Sequence, residues 1–221
     1  MVKVAVCLSG CGVFDGSEIH EAVLTLLALS RAQAEVLFCA PNMAQMHVID
    51  HQHGVVMPDE SRQVMVESAR IARGPVHDIK ELSTQDFDAL ILPGGSGAAK
   101  NLCDFAIHGA AATGHPAVMK LLRACLEDGK PIGLICIAPM VMATAMRGTP
   151  NSLELTIGTD EATNAALEAM GAQPRLHAAN EIHVDFERKV VSTPAYMLAN
   201  SIAEVAVGID KLVAKVLEFS S

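Results

Sequence analysis

The chain has 221 residues, 51% of them hydrophobic and 19% charged, with 16 Lys and Arg against 25 Asp and Glu for a formal net charge of −9. So apolar a composition excludes a disordered chain, and the length suits a single domain over residues 1–221 with a sizeable core. The acidic balance excludes a nucleic-acid binder, which needs a basic face, and 3% aromatic residues without Trp leave no base-stacking platform.

Met1-Val2-Lys3-Val4 reads as the start of a strand rather than a cleavable leader. Val4-Ala5-Val6-Cys7-Leu8 is the nearly continuous apolar run of a strand covered on both faces of a parallel sheet. After the turn Ser9-Gly10-Cys11-Gly12, the spacing of Ile19, Val23, Leu26 and Leu27 predicts a helix that turns these residues to the core. Asp15, three residues before Glu18, reads as a capping box at its start. Val36-Leu37-Phe38 predicts a second strand, stopped by Pro41. Asn42 to Ile79 departs from this rhythm and reads as an insertion, with a short strand at His47–Asp50 and a helix over Glu60–Arg73 carrying Val64, Met65 and Ile71. Its irregularity makes it a candidate for covering a site or contacting a second subunit. His51 and His53 within it fit an exposed turn better than a metal site, which needs further ligands nearby.

Regularity returns at Ala89-Leu90-Ile91-Leu92, which runs into Pro93-Gly94-Gly95-Ser96-Gly97. A helix from Pro116 to Asp128 follows, then a strand from Pro131 to Cys136 that leads straight into another helix. The apolar stretch Pro131–Met146 is broken by Pro139 and falls short of the ~18–20 residues of a membrane span, so no membrane partner is expected. Leu155-Thr156-Ile157 and Val190-Val191-Ser192 predict later strands, with a helix over Asp160–Met170 between them. In the last helix Ile202, Val205, Ala206, Ile209, Leu212, Val213, Val216 and Leu217 keep a period of about 3.6 residues. Strands alternating with helices predict the α/β class: a three-layer α/β/α sandwich around a mostly parallel sheet. The six cysteines lack disulfide-framework spacing and read as reduced thiols of a cytoplasmic protein, with Cys7 in the core.

Ligands of such sheets bind at the carboxyl ends of strands, which directs attention to the turns after Leu8, Leu92 and Ile135. Cys136 stands at a strand-to-helix turn, where exposure and a helix N-terminus that lowers the thiol pKa both favour a nucleophile. The consecutive glycines Gly94 and Gly95 let backbone N–H groups approach a ligand closely, as an oxyanion hole requires. Glu18 and Glu21 lie on the first turns of the first helix, where a carboxylate beside a thiol can carry protons. Glu18 also suits helix capping, which leaves Glu21 as the better proton carrier.

The segment Ser9-Gly10-Cys11-Gly12-Val13-Phe14-Asp15-Gly16-Ser17-Glu18-Ile19-His20-Glu21-Ala22 resembles the ElbB family. So do Leu92-Pro93-Gly94-Gly95 with Gly97-Ala98-Ala99-Lys100-Asn101-Leu102, Cys136-Ile137-Ala138-Pro139, Leu155–Asp160 and Thr193-Pro194-Ala195-Tyr196-Met197. That family is the isoprenoid-biosynthesis-associated, glyoxalase-like branch of the DJ-1/PfpI class I glutamine amidotransferase-like superfamily, and the resemblance covers essentially the whole chain. It implies a flavodoxin-like sandwich, a homodimer, Cys136 as nucleophile, Glu21 as its hydrogen-bonded partner, and an oxyanion hole from the backbone N–H groups of Gly95 and Ile137. The implied activity is a weak, glutathione-independent glyoxalase of the hydro-lyase type that needs neither cofactor nor metal. Its substrate is a small reactive carbonyl, glyoxal or methylglyoxal. Ile137 stands where the peptidase and amidotransferase branches place a His, and no motif ties His177 or His183 to the site. The alternative is a stress-response or redox-sensing module, linked to isoprenoid biosynthesis, whose Cys136 reacts with oxidants without turnover.

Overall fold

The computed structural model describes residues 1–150 and 152–220. The first strand, β1 (Lys3–Cys7), is buried on both faces, and α1 (Ile19–Arg31) follows it. β2 (Glu35–Ala40) pairs with β1 in parallel, Val4 opposite Val36 and Cys7 opposite Cys39. The insertion supplies a hairpin of β3 (Ile49–Asp50) and β4 (Val55–Val56), then α2 (Val64–Ala72) and the short β5 (His77–Asp78). Next come β6 (Ala89–Leu92), the single turn α3 (Phe105–His108), α4 (Pro116–Glu127), β7 (Ile132–Ile135) and α5 (Ala138–Met146). The remainder holds β8 (Glu154–Leu155), α6 (Glu161–Ala169), β9 (Gln173–Pro174), β10 (His183–Asp185), β11 (Val190–Thr193) and α7 (Ile202–Phe219).

Seven strands form one sheet in the order β10-β11-β7-β6-β1-β2-β5, parallel throughout except for the antiparallel edge strand β10. Side chains alternate across it with the two-residue period of a strand. Ala5, Cys7, Leu90, Leu92 and Leu134 turn to the side of α4 and α5, while Val4, Val6, Ala89, Ile91 and Val191 turn to α1, α2 and α7. Both faces are therefore dry, as the unbroken apolar runs require. The result is a mostly parallel sheet between two helical layers, the three-layer sandwich expected from the flavodoxin-like resemblance. All nine residues of α5 are buried, and its apolar run is that of a core helix. Among the described residues, no helix is long and apolar enough to cross a membrane.

Three expectations need correction. In α1 the stripe Ile19, Val23 and Leu27 faces outward at 43%, 48% and 42% exposure, and the buried face is Glu21, Ala22, Thr25, Ala28 and Leu29. Ala22, Thr25 and Ala28 on that face let the helix pack closely, chiefly against α7, an advantage that hydrophobic period alone does not register. Asp15 does not cap α1: its Oδ2 accepts the Ile49 N–H at 2.8 Å, and Glu18 is the N-cap. Leu155 belongs to a separate two-stranded sheet with β9. That sheet docks on the central one through side chains, Thr156 N–H to Ser192 Oγ at 2.9 Å and Glu154 N–H to Asp185 Oδ2 at 3.1 Å.

The insertion helix is also shorter than expected, opening at Val64 behind Gln63 as N-cap. The segment braces the loop after β1. Ser68 Oγ accepts the Gly10 N–H at 3.0 Å, and His51 Nε2 accepts that of Phe14 at 3.3 Å. His53 pairs with Asp50 at 2.6 Å. Among the described residues, no group of three His, Cys, Asp or Glu is placed to hold a metal ion.

Candidate active site

Strand β7 ends at Ile135, and Cys136 turns the chain into α5 with φ +60°, a left-handed conformation that costs a non-glycine residue energy. The turn is held from below by the Cys136 N–H, which donates to the Thr193 carbonyl on β11 at 2.9 Å. Cys136 is buried, with 8% of its surface exposed, and that surface opens into a cavity of about 330 Å³. Val13, Glu18, Gly95, Ser96, Phe105, Ile137 and Tyr196 also line the cavity. No residue of the 42–79 insertion does so, and the expectation that this segment covers the site is not met. A larger groove of about 620 Å³ runs along α4 past Lys120, Arg123 and Arg147 and contains none of the predicted site residues.

Glu21 is completely buried on the inner face of α1. Its Oε2 accepts the Gly94 N–H at 3.0 Å, its Oε1 accepts the Tyr196 N–H at 3.3 Å, and the carboxyl shares a hydrogen bond with the Cys136 thiol. Glu18 lines the cavity while capping α1, its Oε2 accepting the Glu21 N–H at 2.7 Å. The two glutamates thus divide their work. Glu21 touches the sulfur; Glu18 holds the helix end that carries Glu21.

The two glycines after β6 have different duties. Gly95 and Ile137 direct their backbone N–H groups at the Cys136 sulfur. Gly94 spends its N–H on Glu21, so it contributes to positioning the carboxyl and not to an oxyanion hole. A larger residue at either position forces its neighbours to move: a Cβ on Gly94 would lie 2.5 Å from Cys136 Cβ, and one on Gly95, where φ is +94°, 2.3 Å from the Glu18 nitrogen.

Burial pushes the Glu21 carboxyl up to about 8, with the neighbouring Glu18 charge adding to the shift. Burial also raises the Cys136 thiol well above its ordinary value, and an ionised Glu21 raises it further, against the lowering effect of the Gly95 and Ile137 N–H groups. The expectation that the helix N-terminus leaves a low-pKa thiol is corrected. Desolvation outweighs the dipole at a sulfur this deep. Two anions cannot share so dry a space, so the pair keeps at least one proton at neutral pH.

His177 and His183 hydrogen-bond to each other at 3.2 Å, and His183 reaches Glu154 at 2.9 Å; neither lines the cavity. Cys7 is a free thiol of the core, hydrogen-bonded to the free Cys39 thiol, and burial raises the Cys11 thiol. The residue that sequence reasoning left without a role is Tyr196. It walls the cavity, gives its N–H to Glu21 and places its hydroxyl 2.8 Å from His20 Nδ1. It is the chain's sole tyrosine, the one signal that singles it out.

Residues 3–156 match the model of the DJ-1/PfpI family. The human protein named glutamine amidotransferase-like class 1 domain-containing protein 3, mitochondrial, is 45% identical over 227 residues, covering 99% of this chain and 83% of that protein. The crystal structure of an isoprenoid biosynthesis protein with amidotransferase-like domain from Ehrlichia chaffeensis aligns over 100% of both chains at 34% identity and a TM-score of 0.92. Glyoxalase III of Candida albicans shares the fold, with a TM-score of 0.60 over 96% of both chains at 14% identity. A buried cysteine on a strand-to-helix turn, a carboxyl hydrogen-bonded to it and relatives spanning nearly the whole chain lead to one conclusion: the chain belongs to the DJ-1/PfpI family.

Proposed function

We propose that the chain is a glutathione- and cofactor-independent glyoxalase of the ElbB branch, converting glyoxal, and methylglyoxal after it, to the corresponding hydroxy acid. The observation that carries this reading is the hydrogen bond between the Glu21 carboxyl and the Cys136 thiol at the wall of an accessible cavity. Ionised Glu21 takes the thiol proton, the sulfur adds to an aldehyde carbon, and the Gly95 and Ile137 N–H groups hold the oxygen on that carbon. Glu21 passes that proton to the oxygen on the attacked carbon, then removes the hydrogen from the same carbon and returns it to its neighbour by way of an enediol, leaving a thioester that water cleaves to glycolate. The aldehyde is already a strong electrophile, and Cys136 itself supplies the covalent handle.

The purified protein with glyoxal, followed by the appearance of glycolate, tests the reading: turnover is expected, and Cys136→Ser is expected to abolish it. Unchanged turnover in that variant sinks the mechanism. The same N–H groups on the sulfur favour a second reading, a stress-responsive thiol whose oxidised forms they stabilise. Selective peroxide oxidation at Cys136 without glycolate production decides for it.

The protein acts as a homodimer in this reading. The outward apolar stripe of Ile19, Val23 and Leu27 on α1 is surface for a second copy to cover, and a monomeric mass in solution overturns that assignment. Six free thiols support a reducing compartment, here the cytoplasm; the mitochondrial placement in the human relative's name is another compartment to test by fractionation.

A further inference from the structure

A vicinal dicarbonyl has two oxygens, and the Gly95 and Ile137 N–H groups account for one of them, the oxygen on the carbon that receives the sulfur. The second oxygen carries the developing charge when the hydrogen is removed from that carbon, and it too needs a donor. The cavity walls are otherwise mainly apolar, with Val13, Ala99, Phe105, Ala106, Ile137 and Met197, and the hydroxyls among them belong to Ser96 and Tyr196.

Tyr196 is the better placed of the two. It follows Ala195, which is fully buried and held at φ +45°, a strained conformation for alanine. That turn sets the Tyr196 N–H on Glu21 at 3.3 Å, so the same residue that orients the proton carrier also walls the cavity. Its hydroxyl meets His20 Nδ1 at 2.8 Å, one residue before Glu21 on α1. With the proton on Nδ1, His20 donates to the Tyr196 oxygen and leaves the phenolic hydrogen free to face a ligand.

We propose that Tyr196 is a catalytic residue that carries a proton between the two oxygens of a vicinal dicarbonyl, with His20 as its positioning residue. The inference rests on the glyoxalase reading and deepens it. The protons balance as follows. After sulfur addition the first carbon holds S, H and OH, the hydroxyl proton having come from the thiol through Glu21. Glu21 removes the carbon-bound hydrogen as a proton, its electron pair becomes the carbon–carbon double bond, and the second carbonyl's π pair moves to its oxygen, which takes the Tyr196 proton. Glu21 then protonates the second carbon, while the first oxygen gives its proton back to Tyr196 and becomes the thioester carbonyl. Glu21 shuttles between carbons and Tyr196 between oxygens, both end as they began, and no oxidant is consumed. Burial, with the Glu18 and Glu21 charges, raises the Tyr196 phenol above its usual range, so the hydroxyl stays protonated and ready to donate.

The test compares glyoxal turnover in Tyr196→Phe, Ser96→Ala, His20→Ala and His20→Asn with the parent and Cys136→Ser proteins. Tyr196→Phe is expected to lower kcat about 10²-fold with KM little changed, since general acid–base groups contribute ~10²–10⁴-fold. It keeps the Cys136-dependent adduct detectable by mass spectrometry. His20→Ala is expected to lose about tenfold, and His20→Asn, whose amide N–H also donates to the phenolic oxygen, to recover most of it; a purely structural His20 shows no such rescue. Turnover that needs Cys136 but is indifferent to Tyr196→Phe overturns this inference alone, as does a larger kcat loss in Ser96→Ala. A parent protein without any turnover overturns both this inference and the glyoxalase reading.

Discussion

Replacing Glu21 with Gln is expected to lower glyoxal turnover by about 10²–10⁴-fold, the ordinary contribution of a positioned general base. Gln keeps the shape of the side chain but cannot take a proton from the thiol or from carbon. The parent protein carries a matching pH signature. With Glu21 at about 8, the carboxylate form is the minor one at neutral pH, and the base fraction grows about tenfold per pH unit below that value. Turnover should therefore climb steeply from pH 5 and level off near pH 8, and the Gln variant's residual rate should lack that climb. A parent profile flat across pH 5–8 refutes the assignment of the base.

Stability supplies an independent check with the opposite sign. The folded value of about 8 lies above the ordinary 4.5, so the native state holds the proton more tightly than the unfolded chain. The stability tied to that proton is fully present below about pH 4.5 and is lost as pH rises through 8. Gln has a single carbonyl oxygen, so either the Gly94 or the Tyr196 N–H loses its acceptor, costing about 1–3 kcal/mol. Glu21→Gln should thus melt below the parent at pH 5, with the gap narrowing towards pH 9. A gap that widens means that Glu21 is ionised in the native state at neutral pH.

Gly94→Ala is the second large effect. The added methyl would lie 2.5 Å from Cys136 Cβ, 2.6 Å from Glu21 Oε2 and 2.9 Å from the Ile135 carbonyl oxygen. Two of these neighbours are the reacting pair and the third is backbone, so relief must come from moving the site itself. Overpacking of this kind costs about 1–3 kcal/mol. The displacement matters more to activity, since a shift of about 1 Å between reacting groups lowers rates ~10²-fold. The variant should fold, melt several degrees lower and turn over at no more than about a hundredth of the parent rate. Near-parent turnover would mean that the carboxyl and the thiol need not touch through this narrow gap.

How much of the site is legible in the amino-acid order depends on the kind of signal. Cys136 and the Pro93–Gly97 loop announce themselves, because an apolar run that stops at a small or reactive residue marks the carboxyl end of a strand. A parallel sheet gathers such ends on one edge whatever the intervening chain does. Glu21 is recognisable by its place on the first helix, but not its protonation, which comes from complete burial beside Glu18. Tyr196 stands out in the sequence only as the sole tyrosine, which gives no role: its contact with Glu21 joins residues 175 apart along the chain.

The order of residues by itself determined the α/β alternation, the buried strands and the three turns that meet at their ends. Each of these is local, set by apolar runs, glycines and periodicity within a dozen residues or so. Only the tertiary structure decided which face of α1 turns inward, which glutamate meets the sulfur, and that Gly94 serves the carboxyl while Gly95 and Ile137 serve the thiol. Those outcomes hang on contacts such as Gly94 with Glu21, 73 residues apart, and on the water excluded around them. Proton affinity and close packing are properties of surroundings, and the surroundings of a residue exist only once the chain has folded.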